Sequence, residues 1–355
     1  MNKKLLTLAV GAAITAGPML IAQADVKIGG FAQVEIGRIE TDNAAGVTTS
    51  KVTDSADASR GRFWITADED LGGGMKGLAH FEFRVDTTGN CELEAGGSGG
   101  TGGNGLSTCG TAASSFNTRE KYVGLKTNWG TVKLGSNRTA YKYYGSTSYD
   151  PFVTTLLEAR NNGGMVGGVF GANNFADNSL RYESPTFADV SFEVTYGFDD
   201  APTAASTFDD GDYSVGVQWK GLGGMLHIAG ARSVNQDNTP ASNNQEWDKL
   251  AVKYEFMKGN SIAAQYEQTE NDTNSIESNT WFIGYHGKFG NVRPVVQIGK
   301  TENELVAVNP DTDYIAAGVW YDMSKTFNLL AGYRKTEIDG GNETTVWSVG
   351  MRKGF

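Results

Sequence analysis

From Asp25 to Phe355 the chain passes through sixteen stretches of roughly ten residues in which apolar and polar side chains alternate. Side chains two apart on a strand share a face. In Ala79 to Asp86 one face therefore reads Ala79, Phe81, Phe83, Val85 and the other His80, Glu82, Arg84, Asp86. The same split recurs in Lys249 to Phe256, where Leu250, Val252, Tyr254 and Phe256 oppose Lys249, Ala251, Lys253 and Glu255. A third case is Asp189 to Phe198, with Val190, Phe192, Val194, Tyr196 and Phe198 against Ser191, Glu193, Thr195 and Gly197. One such stretch would suit a soluble sandwich equally well. Their number and uniform length predict a closed transmembrane β-barrel.

Strands are expected at 26–37, 60–69, 76–86, 118–127, 130–138, 177–184, 190–199, 212–220, 224–234, 246–256, 260–270, 279–287, 291–301, 312–322, 326–338 and 343–355. Short connections such as Asn128–Trp129 and Gly221–Gly223 alternate with long ones at 38–59, 87–117, 139–176, 200–211, 235–245, 271–278, 302–311 and 339–342. An up-and-down barrel with short periplasmic turns, longer external loops and both termini periplasmic predicts this rhythm. With sixteen strands the cylinder encloses water, so the polar faces line a lumen and the apolar faces meet lipid.

Composition narrows the choice. No later stretch holds the 18 or so uninterrupted apolar residues of a spanning helix, and 47 glycines with 14 Tyr, 17 Phe and 7 Trp suit turns, strands and interfacial girdles. Residues 1–24 read as a signal peptide, with Lys3 and Lys4 before the apolar run Leu5 to Ile21 and a small-residue cleavage site at Ala22-Gln23-Ala24. Residues 25–355 then form one barrel domain. Loss of that segment, two lysines and no acids, takes the formal charge from −11 to −13, and such a chain is no partner for nucleic acid. Export also bears on Cys91 and Cys109, the only cysteines, which flank the glycine-rich run Glu94 to Leu106. An oxidising compartment favours a disulfide between them, contributing about 3 kcal/mol by closing the loop. The alternative, a metal pair, lacks a nearby histidine.

The turn Glu69-Asp70-Leu71-Gly72-Gly73-Gly74-Met75-Lys76, the pair Tyr122-Val123-Gly124-Leu125-Lys126 and Trp129-Gly130-Thr131-Val132-Lys133-Leu134-Gly135, the run Asn178 to Pro185 and the ending Val349 to Phe355 carry a further signal. Over the whole mature chain they resemble the general-diffusion porins of Gram-negative outer membranes, in particular the trimeric proteobacterial family. The resemblance implies a homotrimer in outer-membrane lipid and lipopolysaccharide, conducting ions and small hydrophilic solutes. It implies that the terminal Phe355 is an assembly signal read by the barrel-insertion machinery. It implies also that the third long loop, Thr139 to Ala176, folds inward and sets Asp150 and Glu158, beside Arg160, against wall arginines. The candidates are Arg62, Arg84, Arg119, Arg138 and Arg181. Arg62 fits because Phe63, Ile65 and Ala67 take the apolar face; Arg181 shares a face with Glu183; Arg119 has no clear parity beside Glu120. Where the family often closes its fifth strand with Gly-Arg, this chain has Gly135-Ser136.

Opposed charges about 10 Å apart interact by near 0.4 kcal/mol in bulk water and about 1.7 kcal/mol at an effective dielectric of 20. Such energies bias ions without trapping them, as conduction requires. The expected activity is passive diffusion with weak selectivity, leaning to cations on the net charge. Enzymatic barrels need a nucleophile with a positioned base; the three histidines, His80, His227 and His286, form no such motif, and neither cofactor nor metal site is expected. An adhesive barrel acting through its outer loops is compatible with a pore. The acids Asp199, Asp200, Asp209, Asp210 and Asp212 leave divalent-cation binding open, without the spacing of an EF-hand.

Overall fold

The computed structural model describes residues 24–54, 60–87, 116–145, 148–159, 175–198, 211–235, 245–271, 276–304 and 310–355. Their strands are β1 (Asp25–Asp42), β2 (Thr48–Asp54), β3 (Arg60–Gly72), β4 (Met75–Asp86), β5 (Phe116–Thr127), β6 (Gly130–Arg138), β7 (Phe175–Glu183), β8 (Val190–Gly197) and β9 (Tyr213–Gly221). They continue as β10 (Leu226–Asn235), β11 (Gln245–Met257), β12 (Asn260–Asn271), β13 (Ile276–His286), β14 (Val292–Asn303), β15 (Thr312–Asp322), β16 (Phe327–Ile338) and β17 (Glu343–Gly354). One helical turn, α1 (Ala140–Tyr143), follows β6.

Every neighbouring pair is antiparallel, and the cylinder closes where β1 pairs with β17 from Phe31↔Gly354 to Asp42↔Glu343. The other edge of β1 is shared: its first half pairs with β3 and its second half with β2. β2 and β3 thus occupy one stave, and the wall is a sixteen-strand barrel. This corrects the expected loop at 38–59, because β1 runs on to Asp42 and Thr48–Asp54 folds back on it as a hairpin. Cys91 and Cys109 lie outside the described residues, as do Arg160 and the acids 199–210.

The two faces of each strand show why the barrel forms. On β14, Val296 and Ile298 are 46% and 38% exposed while Gln297 between them is fully buried. This inverts the arrangement of a soluble protein and needs hydrocarbon outside. Trp129, Phe187, Leu222, Phe289 and Phe355 stand exposed along the turn end of the wall, where amphipathic rings and short apolar groups mark a membrane boundary. The first turn depends on its glycines: Gly72, Gly73 and Gly74 all have φ between 62° and 80°, a region closed to most side chains.

Candidate functional site

The barrel's interior is asymmetric because the third long loop is seated on one half of the wall. After β6 the chain turns inward, with Thr139 capping α1 through its hydroxyl to Lys142 N at 3.2 Å. Tyr141 and Tyr144 of this turn pack with Ala229, Ala231 and Trp247 of β10 and β11. Lys249 reaches the Tyr141 carbonyl and, 3.0 Å away, Glu267, with both side chains fully enclosed. Farther on, the Tyr149 hydroxyl lies 2.9 Å from His227 Nδ1. Phe152, Leu157 and Ala159 then join Ala251, Ala263, Phe282, Val295, Ala316, Trp320 and Leu330 in the main apolar cluster.

Gly216 on β9 makes room for Ala140 and Tyr144, and three further wall glycines make room for the later part of the loop. A Cβ on Gly37 would stand 2.3 Å from Leu156 Cδ1, on Gly332 2.4 Å from Leu157 Cδ1, and on Gly318 3.0 Å from Phe152 Cζ. Polar bonds hold the same segment across the β1–β17 seam. Gln33 Nε2 donates to the Thr154 carbonyl at 2.5 Å, Leu156 N donates to Glu35 at 3.0 Å, and Ser348 donates to the other Glu35 oxygen. Arg352 reaches Gln33 at 2.6 Å and Thr154 Oγ1 at 3.1 Å, its guanidinium flanked by the rings of Phe31 and Trp320.

The loop carboxylates belong to this seat. Asp150 accepts from Phe152 N at 2.8 Å, Gln297 Nε2 at 2.8 Å and Ala159 N at 2.9 Å, and is 3% exposed. Burial pushes its carboxyl up to about 6; the bonds from Gln297 and from the Ala159 amide oppose the rise, the charge of Glu158 adds to it, and the Phe152 amide opposes it. Glu158 is fully buried, accepts from Thr154 N at 2.6 Å, and lies in the field of Arg334 on β16. Both acids therefore face inward to the β1 and β14–β17 wall, not out across a water gap.

Opposite the loop, the wall from β3 to β8 is charged. The register sets Arg62 directly across from Arg84, two cations side by side on neighbouring strands. Arg62 lies 3.5 Å and Arg119 2.5 Å from Glu82. A bulge resolves the parity of Arg119: Phe81 pairs with Lys121 and Phe83 with Thr118, so Arg119 and Glu120 together oppose Glu82 and both reach the inner side. Glu120 then meets Arg181 at 3.1 Å, and Arg181 also meets Glu183 at 2.5 Å and Glu193 at 2.8 Å. Lys133 bonds Glu183 at 2.8 Å, and Arg138 stacks over the Tyr143 ring at 4.2 Å.

All five expected arginines thus lie on one arc of the inner wall, while Asp150 and Glu158 lie on the other. Gln33, Glu35, Arg334 and Arg352, which hold the loop, are not among the residues the sequence singles out. Glu35 was legible in principle, since it alternates inward with Gln33 and Gly37 between the outward Val34 and Ile36.

The family model for Gram-negative porins matches residues 7–352. The chain is 26% identical over 384 residues to the major outer membrane protein P.IB of Neisseria lactamica, covering all of both chains. It is 25% identical over 336 residues to outer membrane porin protein 32 of Delftia acidovorans, covering 92% of this chain and 86% of that one. Its fold is similar to an anion-selective porin from Comamonas acidovorans, with TM-score 0.72 and 20% identity over 94% of this chain and 100% of the other. It is similar also to OmpF of Salmonella typhi in complex with daunomycin, with TM-score 0.67 and 15% identity over 94% and 98%. A closed barrel of sixteen staves, apolar outside and ionic within, and a family match over nearly its full length make this chain a Gram-negative porin, an outer-membrane channel for passive diffusion.

Proposed function

We propose that small hydrophilic solutes and ions cross between the seated loop and the arc of Arg62, Arg84, Arg119 and Arg138, with Arg181 fully enclosed beneath it. The observation that carries this reading is the division of the interior: the loop's apolar side chains fill the half lined by β9–β17 and β1, while the ionic half is β3–β8. The wall arginines, more than the loop acids, set a weak charge selectivity. Asp150 and Glu158 are enclosed behind the loop, so the arginine side dominates and the preference is for anions. The net charge of the whole chain counts for less, because exposed charges beyond a Debye length of about 8 Å are screened at physiological salt. On the arc Lys133, Arg181, Glu120 and Glu193 are themselves buried, which leaves Arg62, Arg84, Arg119 and Arg138 against Glu82 and Glu183 among the described residues named above. The similar Comamonas acidovorans protein, described as anion-selective, agrees with this sign.

Reversal potentials across a salt gradient in planar bilayers test it. R62Q with R84Q is expected to shift the wild-type potential toward cations, and D150N with E158Q to move it little. The opposite ranking removes the arginine arc from the narrow passage. In the same reading the mature protein begins at Asp25, associates as a homotrimer, closes the loop at 87–117 with a Cys91–Cys109 bridge and presents Phe355 to the insertion machinery from the periplasmic side.

A further inference from the structure

The bulge that turns Glu120 inward also completes a set of metal ligands, and we propose that His80, Glu82 and Glu120 form a transition-metal subsite in the pore wall that takes a borderline divalent cation such as Zn2+. One ligand atom from each of the three lies within 4.8 Å of the others. His80 and Glu82 are two apart on the inner face of β4, and Glu120 comes from β5 beside them.

The imidazole is prepared for this role. It stacks on the Tyr122 ring at 5.3 Å with 17° between planes, and its Nε2 is buried without a hydrogen-bond partner, 3.9 Å from Glu82 Oε2. Two ligands each about 2.1 Å from a tetrahedral zinc ion stand about 3.4 Å apart, so an ion entering this gap draws the two side chains together by about half an ångström. Arg119 holds the other Glu82 oxygen, and Arg181 holds Glu120 Oε1, which fixes both carboxylates in place.

Those guanidiniums also decide which ion binds. They repel any cation, and a hard ion such as Mg2+, which gains chiefly from oxygen ligands, has little to set against that repulsion. A borderline ion gains the imidazole bond as well. The side chains of His80, Glu82 and Glu120 are 15%, 11% and 10% exposed, so the subsite opens narrowly to the lumen. An ion held there adds positive charge and bulk beside Arg62 and Arg119, where solutes pass.

Titration calorimetry of the untagged full chain, folded in detergent, reads the binding of ZnCl2 directly. The expected result is a zinc site in the wild type, weakened at least tenfold, or about 1.4 kcal/mol, in both H80Q and E120Q, with no matching affinity for MgCl2. Bilayer recordings should show Zn2+ lowering wild-type conductance, and each variant needing at least tenfold more zinc for the same fractional block of its own current. Equal zinc affinity in the wild type and both variants, or equal binding of magnesium, overturns the site. Binding that leaves the current untouched overturns its placement in the pore wall. The block rests on the channel reading and the calorimetry does not: a chain that binds zinc through His80 yet fails to conduct keeps the subsite and loses the pore. If H80Q does not fold, E120Q alone decides.

Discussion

Single residues in this barrel act through where they are enclosed. Asp150 is the clearest case, because burial raises its carboxyl to about 6 while the unfolded chain keeps it near the ordinary value. The folded state therefore binds the proton more tightly, so the contribution to stability is complete below the ordinary carboxylate range and is lost as pH rises through about 6. Thermal unfolding in detergent should show the midpoint falling between pH 4 and pH 7, with the loss levelling at on the order of 3 kcal/mol. D150N should flatten that slope, although its amide gives up one bond to the loop backbone. A slope unchanged in D150N would assign the dependence to other groups. Arg119 is a second case. Its inward aim comes from a one-residue bulge opposite Glu82, and an insertion of that size leaves the surrounding alternation of Lys121, Val123 and Leu125 intact, so no pattern in the sequence discloses it.

Elements differ in how openly the sequence declares them. The strands were legible because each must satisfy lipid on one face and water on the other, a requirement that writes a period of two into sixteen stretches. β2 was not, because Thr48–Asp54 has a single apolar side chain, Val52, and no alternation; it shares a stave with β3 and pairs with β1. The seat of the third loop was equally hidden. It depends on Gly37, Gly318 and Gly332, which lie on three different strands and become one cradle only when the cylinder is complete. The cradle makes a prediction at this scale. G332A places a methyl 2.4 Å from Leu157 Cδ1 and close to the backbone of β15, an overpacking that costs about 1–3 kcal/mol and lifts the loop from the wall. Single-channel conductance should change and its noise increase, and adding L157A should bring the current back toward the wild type. If G332A alone leaves both stability and conductance as they were, the loop is not held by that contact.

The whole molecule is a ring whose two ends are joined by backbone bonds and by one terminal residue. Phe355 exchanges both backbone bonds with Gly30, its N donating at 3.0 Å and its carbonyl accepting at 3.3 Å, while its ring stays 66% exposed toward the membrane boundary. The β1–β17 pairing retains its ladder from Phe31 to Asp42 without that ring. F355A is therefore expected to leave detergent-refolded protein able to form the barrel, but to lower the amount recovered in outer membranes of an expressing cell severalfold. Equal recovery of F355A and wild type would remove the proposed assembly role. The seam has one more consequence, concerning the order in which the channel is made. Thr154 and Leu156 are bound by Gln33 and Glu35 from the first strand and by Arg352 from the last, while Ser348 of that last strand binds Glu35. The seam half of the loop's landing place, under Thr154 and Leu156, does not exist until residues more than three hundred positions apart have met. During biogenesis the throat can therefore take its final width only after circularisation, and a sheet arrested before that step has no finished aperture to leak through.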